Sequence, residues 1–205
     1  MRITERVAPT RRAVLAGLGV LGLAAGAGPA AADAADRAKA LVVTLADALQ
    51  RLVNSGRGEG QTYAAFEGIL SRYGDMPAVA ASVLGPPWRS AGRGQKQAFV
   101  AAFQGYLARR YGRQFREYRN ARIQVTGARD AGKAGVLVQT HVLRPGQESI
   151  AVDWQISERS GSPRAVNLII EGVSMLANER AEIGAMLEAQ RGSLDNLIGA
   201  LRARA

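Results

Sequence analysis

The sequence predicts an α+β fold: a curved antiparallel sheet of four strands with helices on one face. Three observations predict it. Apolar residues recur at three- and four-residue spacing through most of the segment from 36 to 113. Between 123 and 170 the spacing changes to strict alternation, in four short segments separated by Gly/Pro/charged turns. Helical spacing then returns and holds to the C-terminus. Helices, a meander, then helices make an α+β domain whose sheet has a wholly apolar face to cover.

The elements follow in order. Asp36 to Asn54 reads as an amphipathic helix through Ala38, Leu41, Val42, Leu45, Leu49 and Leu52, stopped by Ser55-Gly56-Arg57-Gly58-Glu59-Gly60. A second helix carries Tyr63, Phe66, Ile69 and Leu70 and ends near Tyr73-Gly74. Pro77 opens a short helix to Leu84, and Gly85-Pro86-Pro87 is a hard break. Gln95 to Arg113 is the longest aromatic helix, with Phe99, Phe103, Tyr106, Leu107 and Tyr111 as one stripe. Such a stripe is ordinarily core. Aromatic residues are only 5% of this chain, however, and they cluster between Trp88 and Tyr118.

Four strands follow. Ile123 and Val125 mark the first. Val136, Val138, Thr140 and Val142 alternate with Leu137, Gln139, His141 and Leu143 in the second. Ile150, Val152, Trp154 and Ile156 alternate with Ala151, Asp153, Gln155 and Ser157 in the third. Val166, Leu168 and Ile170 give the fourth its apolar face. The stretches 128–133, 144–147 and 158–163 are expected to be turns. Gly172 suggests a bend, a bulge or a close backbone approach, after which Val173, Met175 and Leu176 continue the apolar run and Asn178 is the expected cap of a helix. A last helix starts at Ser193 with Leu194, Leu197, Ile198 and Leu201 on one stripe.

The N-terminus has the composition of an exported leader. Arg2, Arg6, Arg11 and Arg12 precede an apolar Gly/Ala-rich stretch from Ala13 to Ala27, and Ala30-Ala31-Ala32 offers a cleavage site. Residues 1–32 are therefore expected to be a signal peptide and 33–205 the mature domain. Thr10-Arg11-Arg12-Ala13-Val14-Leu15 fits a twin-arginine signal, with Val14 where a bulky Phe is usual; an ordinary leader that contains two arginines is the alternative. The chain has no cysteine, so no disulfide and no lipid-attachment thiol, and a soluble periplasmic protein is expected. The formal net charge is +10, of which residues 33–205 keep +7. For an exported domain this points toward anionic lipid surfaces and away from nucleic acid, with a charge that serves only solubility as the alternative.

Catalytic and metal constellations are weak. There is no thiol nucleophile and a single histidine, His141. No Gly-x-Ser-x-Gly precedes a helix, and no His/Cys/carboxylate cluster has ligand spacing. The enzyme alternative is a small cone-fold dehydratase or isomerase using His141 with Asp153. Parity argues against it, because His141 and Asp153 belong with Gln139, Gln155, Asn167 and Glu171 on the polar face, opposite the apolar sets 150/152/154/156 and 166/168/170.

Two segments carry a family resemblance. Ile169-Ile170-Glu171-Gly172-Val173-Ser174-Met175, followed by Asn178-Glu179-Arg180, resembles the signature of the MlaC (toluene-tolerance) family of periplasmic phospholipid-binding proteins. Val83-Leu84-Gly85, Trp88-Arg89, Gln95-Lys96, Phe99, Phe103, Leu107 and Tyr111 match the family's central pattern. Together they cover roughly residues 36–202. The family usually shows Trp-Lys and then Asp before the final strand; here those places hold Pro163, Arg164 and Asn167.

The resemblance implies a cone-like lipid pocket and binding with hand-over, with no bond made or broken and no cofactor beyond the bound phospholipid. It implies a monomer that exchanges lipid with an outer-membrane lipoprotein complex and with an MCE-domain protein of an inner-membrane ABC transporter, sustaining outer-membrane lipid asymmetry. A hopanoid-associated branch of the same family leaves another apolar lipid open. Combined with the alternation, it makes Val136, Val138, Val142, Ile150, Val152, Trp154, Val166, Leu168 and Ile170 the expected pocket wall, roofed by part of the Phe99–Phe103–Leu107 stripe. Leu84, Gly85, Trp88, Arg89, Tyr111, Glu171, Gly172, Val173 and Ser174 are then expected to be structural. The sequence names no dedicated head-group pocket; the head group is expected at the rim, near basic side chains.

Overall fold

The computed structural model describes residues 29–205, so most of the leader read at 1–32 lies outside the described residues. The first helix, α1, spans Pro29–Val53. It begins earlier than Asp36 because Ala30 to Ala35 is rich in the best helix former. α2 (Glu59–Tyr73) ends at Gly74. α3 (Met76–Leu84) is capped by Asp75, whose carboxylate accepts from the Ala78 N–H at 3.1 Å. The expected break at Gly85-Pro86-Pro87 holds one further turn, α4 (Pro87–Ser90), since proline is tolerated at the start of a helix. α5 (Arg93–Gly112) runs into a 3₁₀ helix, Arg113–Tyr118.

The sheet has five strands in sequential antiparallel order and is not closed: β1 (Arg122–Asp130), β2 (Val136–Leu143), β3 (Ile150–Ser157), β4 (Arg164–Ile170) and β5 (Val173–Ser174). The fifth strand corrects the expectation of four. Glu171 and Gly172 have φ of 48° and 79°, and Ile170 pairs with Val173. A two-residue loop with both residues at positive φ has the signature of a type I′ reversal. The chain therefore folds back at Gly172 instead of continuing as a bent strand. The Glu171 carboxylate accepts from the Ala151 N–H at 2.5 Å, and the Glu171 N–H donates to the Ala151 carbonyl at 3.0 Å. These bonds hold a non-glycine residue in a conformation that its Cβ disfavours.

α6 (Met175–Ala189) starts three residues before the expected cap at Asn178. Ser174 is the cap, its hydroxyl accepting from the Ala177 N–H at 3.2 Å. Asn167 on β4 braces this start, with Nδ2 donating to Ser174 Oγ at 3.0 Å and Oδ1 accepting from the Leu176 N–H at 2.9 Å. α7 (Leu194–Arg204) is capped by Ser193 as its sequence predicts.

Two bulges shape the sheet. The β1–β2 register shifts between Val125 and Gly127, and the β3–β4 register shifts opposite Gln155/Ile156. The first lets β1 continue to Asp130, past the expected turn start at Ala128, with Ala128 opposite Val138. The second places Ala165 opposite Ile156 and leaves Val166 as the extra residue. α1 lies over β1 and β2, α3 and α6 meet β4, and α5 packs on α2 and α7. The α2–α3 junction is pinned to β4, with the Asp75 N–H donating to the Ala165 carbonyl at 3.0 Å.

Candidate ligand cavity

The inner face of the sheet follows the predicted parity on β2 and β3. Val136, Val138, Val142, Val152, Trp154 and Ile156 join one apolar cluster with Ala38, Val42 and Leu45 of α1. What parity leaves undetermined is how far α1 covers that face. Toward Val136, Val138 and Ile156 it is packed. Toward Val142, Ile150, Val152, Leu168 and Ile170 the helices stand off, and a cavity of about 320 Å³ opens to solvent. α2 contributes Phe66, Ile69, Leu70 and Tyr73, α3 contributes Val79, and the 3₁₀ helix contributes Phe115 and Tyr118. Every residue of β4 is half-buried, in keeping with a strand that borders open space.

The cavity brings together Leu107, Val142, Ile150, Val152, Trp154, Val166, Leu168 and Ile170 of the expected set. Ala165, of opposite parity to Val166, Leu168 and Ile170, joins them because the bulge turns it inward beside Val166. Four expected residues lie elsewhere. Val136 and Val138 belong to the packed end of the sheet. Phe99 and Phe103 are fully buried in a separate core with Ile183, Leu197 and Leu201. Helical geometry explains the second pair. Steps of four residues precess by about 40° each, so Phe99 and Tyr111 point about 120° apart around α5. The stripe leaves the helical core near Leu107 and reaches the cavity at Leu107 and Tyr111.

Several polar groups at the wall are paired within the protein. Trp154 Nε1 donates to Thr140 Oγ1 at 3.0 Å, and that hydroxyl donates to the Val152 carbonyl at 2.8 Å. Gln50 Nε2 donates to the Ala121 carbonyl at 2.9 Å. The contributions of α1 and α2 are absent from the sequence reading of the wall, although Leu45, Leu49, Phe66 and Ile69 stand out as amphipathic stripes. An apolar stripe does not record whether its far side meets a side chain or a space.

The motif residues build the scaffold beside the cavity. Leu84 is buried in the helical core, and Trp88 packs against it under Lys96, whose Nζ lies 5.6 Å from the ring centroid. Arg89 and Val173 are exposed. Gly85 faces Arg180, and a Cβ there would lie 3.4 Å from its guanidinium. Tyr111 Oη donates to Glu179 Oε1 at 2.5 Å, and Arg110 Nε lies 3.3 Å from the same oxygen. The two motif segments thus meet twice, at Gly85–Arg180 and Tyr111–Glu179. Glu179 is 4% exposed. Burial pushes its carboxyl above the usual carboxylate range, against the opposing pull of the Tyr111 hydrogen bond and the Arg110 charge. Burial, then the contact with Glu179, pushes the Tyr111 phenol up.

His141 pairs with Ala151 and Asp153 with Gln139, on the sheet face opposite the cavity, and neither lines it. Among the described residues no group of three or more His, Cys, Asp or Glu could hold a metal ion, and no helix is long and apolar enough to cross a membrane.

An open antiparallel sheet whose apolar face is roofed by helices around a solvent-open cavity defines an α+β protein with a pocket of ligand size. The chain matches the MlaC protein family over residues 43–203 and belongs to that family. It is similar to the solved structure of a phospholipid-binding protein from Ralstonia solanacearum in complex with a phospholipid. That match has a TM-score of 0.70 at 20% identity and covers 82% of this chain and 96% of the other.

Proposed function

We propose that this protein is an exported periplasmic carrier that binds a phospholipid by its acyl chains. It shuttles the lipid between an outer-membrane lipoprotein complex and the MCE-domain component of an inner-membrane ABC transporter, and so maintains outer-membrane lipid asymmetry. The observation that carries the reading is the apolar cavity of about 320 Å³ between the β2–β4 face and the helices. It lies within the range of small-molecule sites, about 300–1,000 Å³. A diacyl lipid does not cross water unaided. Each buried CH₂ contributes about 0.8 kcal/mol, so two chains of roughly fifteen carbons represent on the order of 20 kcal/mol or more. A wall made mostly of Val, Ile, Leu and Trp side chains recovers part of that energy for the chain segments it encloses.

Family membership supports the carrier reading, and the positions of His141 and Asp153 away from the cavity count against a catalytic one. The test is native mass spectrometry of protein purified from periplasm, followed by lipid extraction. A co-purifying phospholipid is the expected result. A hopanoid or other apolar lipid would move the assignment to another ligand. No lipid in any preparation would sink it.

A further inference from the structure

A second, smaller recess adjoins the apolar cavity, between the turn joining α1 to α2 and the end of α5. It measures about 50 Å³ and shares Val53 and Phe115 with the cavity wall. Its chemistry is the opposite of its neighbour's. Arg57, Arg113 and Arg119 line it against a single carboxylate, Glu59. Among the described residues, none of these three arginines forms an ion pair.

Tyr63 also lines the recess, and its hydroxyl is buried with no hydrogen-bond partner among the described residues. The ring is held in place. The Arg109 guanidinium lies over it at 5.7 Å from the centroid. Gly112 leaves room for its edge, since a Cβ there would fall 2.7 Å from Tyr63 Cδ1. A buried hydroxyl without a protein partner is satisfied by water or by a ligand oxygen that reaches it.

The 3₁₀ helix Arg113–Tyr118 sorts the two chemistries. Residues three apart eclipse one another in that geometry. Phe115 and Tyr118 share a row, and both line the apolar cavity. Arg113 starts another row, and Arg119, six residues on and just past the helix end, continues it; both line the recess. Guanidinium groups suit phosphate oxygens, and the recess offers several times the room that one water needs.

We infer that this recess is a phosphate subsite holding the charged head group of the lipid whose chains occupy the cavity. The inference rests on the carrier reading above and adds a head-group selectivity to it. The acyl chains supply most of the affinity, while the arginines and the Tyr63 hydroxyl discriminate lipids that carry a phosphate from those that do not.

The experiment compares two ligands with identical chains, dioleoyl phosphatidylglycerol and dioleoylglycerol, binding to the delipidated full mature protein. The wild type is expected to prefer phosphatidylglycerol by tenfold or more. Replacing the arginines together, R57Q/R113Q/R119Q, should remove most of that preference while diacylglycerol binding stays within twofold. Tyr63→Phe, a nearly isosteric change, should lower it by a few fold, which guards against misreading a folding defect. Inorganic phosphate at constant ionic strength should compete with phosphatidylglycerol and leave diacylglycerol binding unchanged. A wild type that binds both lipids equally, or variants that keep the preference, would overturn the subsite and leave the carrier reading standing. The subsite is likewise overturned if inorganic phosphate shifts the Tyr63 and Arg57 resonances while lipid preference is independent of the arginines, because the recess then serves a free anion. Binding of neither lipid would overturn the carrier reading and the subsite with it.

Discussion

On one side of α5, Phe99 and Phe103 stack with ring centroids 5.7 Å apart and planes within 3° of parallel, sealed by Ile183, Leu197 and Leu201. On the other side, Leu107 and Tyr111 face a cavity of about 320 Å³ with Leu168 and Ile170 on its opposite wall. The two regions use the same kinds of side chain. They differ in what surrounds them. The first is bounded by helices at close packing distance, so every methyl meets another atom. The second lies between a sheet and helices that stand off from it. A protein that holds an apolar molecule needs both, because the filled core carries the stability that an open cavity forgoes.

The sharpest way to break this comparison is to truncate one side chain in each region and measure urea unfolding of the lipid-free protein. Phe103→Ala should cost about 3–5 kcal/mol, from lost burial plus the hole left behind. Ile170→Ala should cost about 1 kcal/mol, because that side chain is half-buried and already borders open space. Equal losses would mean that the cavity wall is ordinary core.

Enlarging a side chain reverses the logic. Ala102→Leu in the helical core should cost about 1–3 kcal/mol through overpacking. Val152→Trp and Leu168→Trp should leave the lipid-free protein near its original stability and abolish co-purifying lipid. If both tryptophan variants unfold, or fold and still carry lipid, the wall is misassigned.

The boundary between wall and sheet gives a smaller effect. Thr140→Val leaves the Trp154 indole N–H without its acceptor, at a cost of about 1–2 kcal/mol in the same unfolding experiment. Lipid binding should weaken as the Trp154 ring loses its fixed orientation. Unchanged stability and binding would show that the indole finds another partner.

The smallest effect concerns the contact between the two motif segments. The folded-state pKa of Glu179 is raised above its unfolded value, chiefly by burial, so the folded protein binds the proton more tightly than the unfolded chain. Its contribution is therefore most favourable below the ordinary carboxylate value of about 4.5 and is lost as pH rises from there through the raised folded value. Glu179→Gln should remove that slope while keeping an acceptor for Tyr111. Subtracting the variant's pH–stability curve from that of the wild type isolates the group. A difference curve that is flat, or slopes the other way, contradicts the assignment.

Much of this molecule is legible in one dimension. The period of apolar residues determines which segments are helices and which are strands, because each element must bury one stripe or one face. The same parity places Val152, Trp154 and Leu168 on one side of the sheet and His141 and Asp153 on the other. Ser193 marks the start of α7 because an exposed backbone N–H needs an acceptor there. Three things were decided only in three dimensions. The reversal at Glu171–Gly172 depends on hydrogen bonds exchanged with Ala151, twenty residues away, which hold Glu171 at positive φ; local sequence alone reads as a bent strand. The inward turn of Ala165 depends on a bulge, and a bulge is a relation between two strands. The division of one apolar stripe into core at Phe99 and Phe103 and cavity wall at Leu107 and Tyr111 depends on where α7 and β4 lie around α5. A hydrophobic side chain records that it avoids water, and carries no record of whether its neighbour is another side chain or a space left for a ligand.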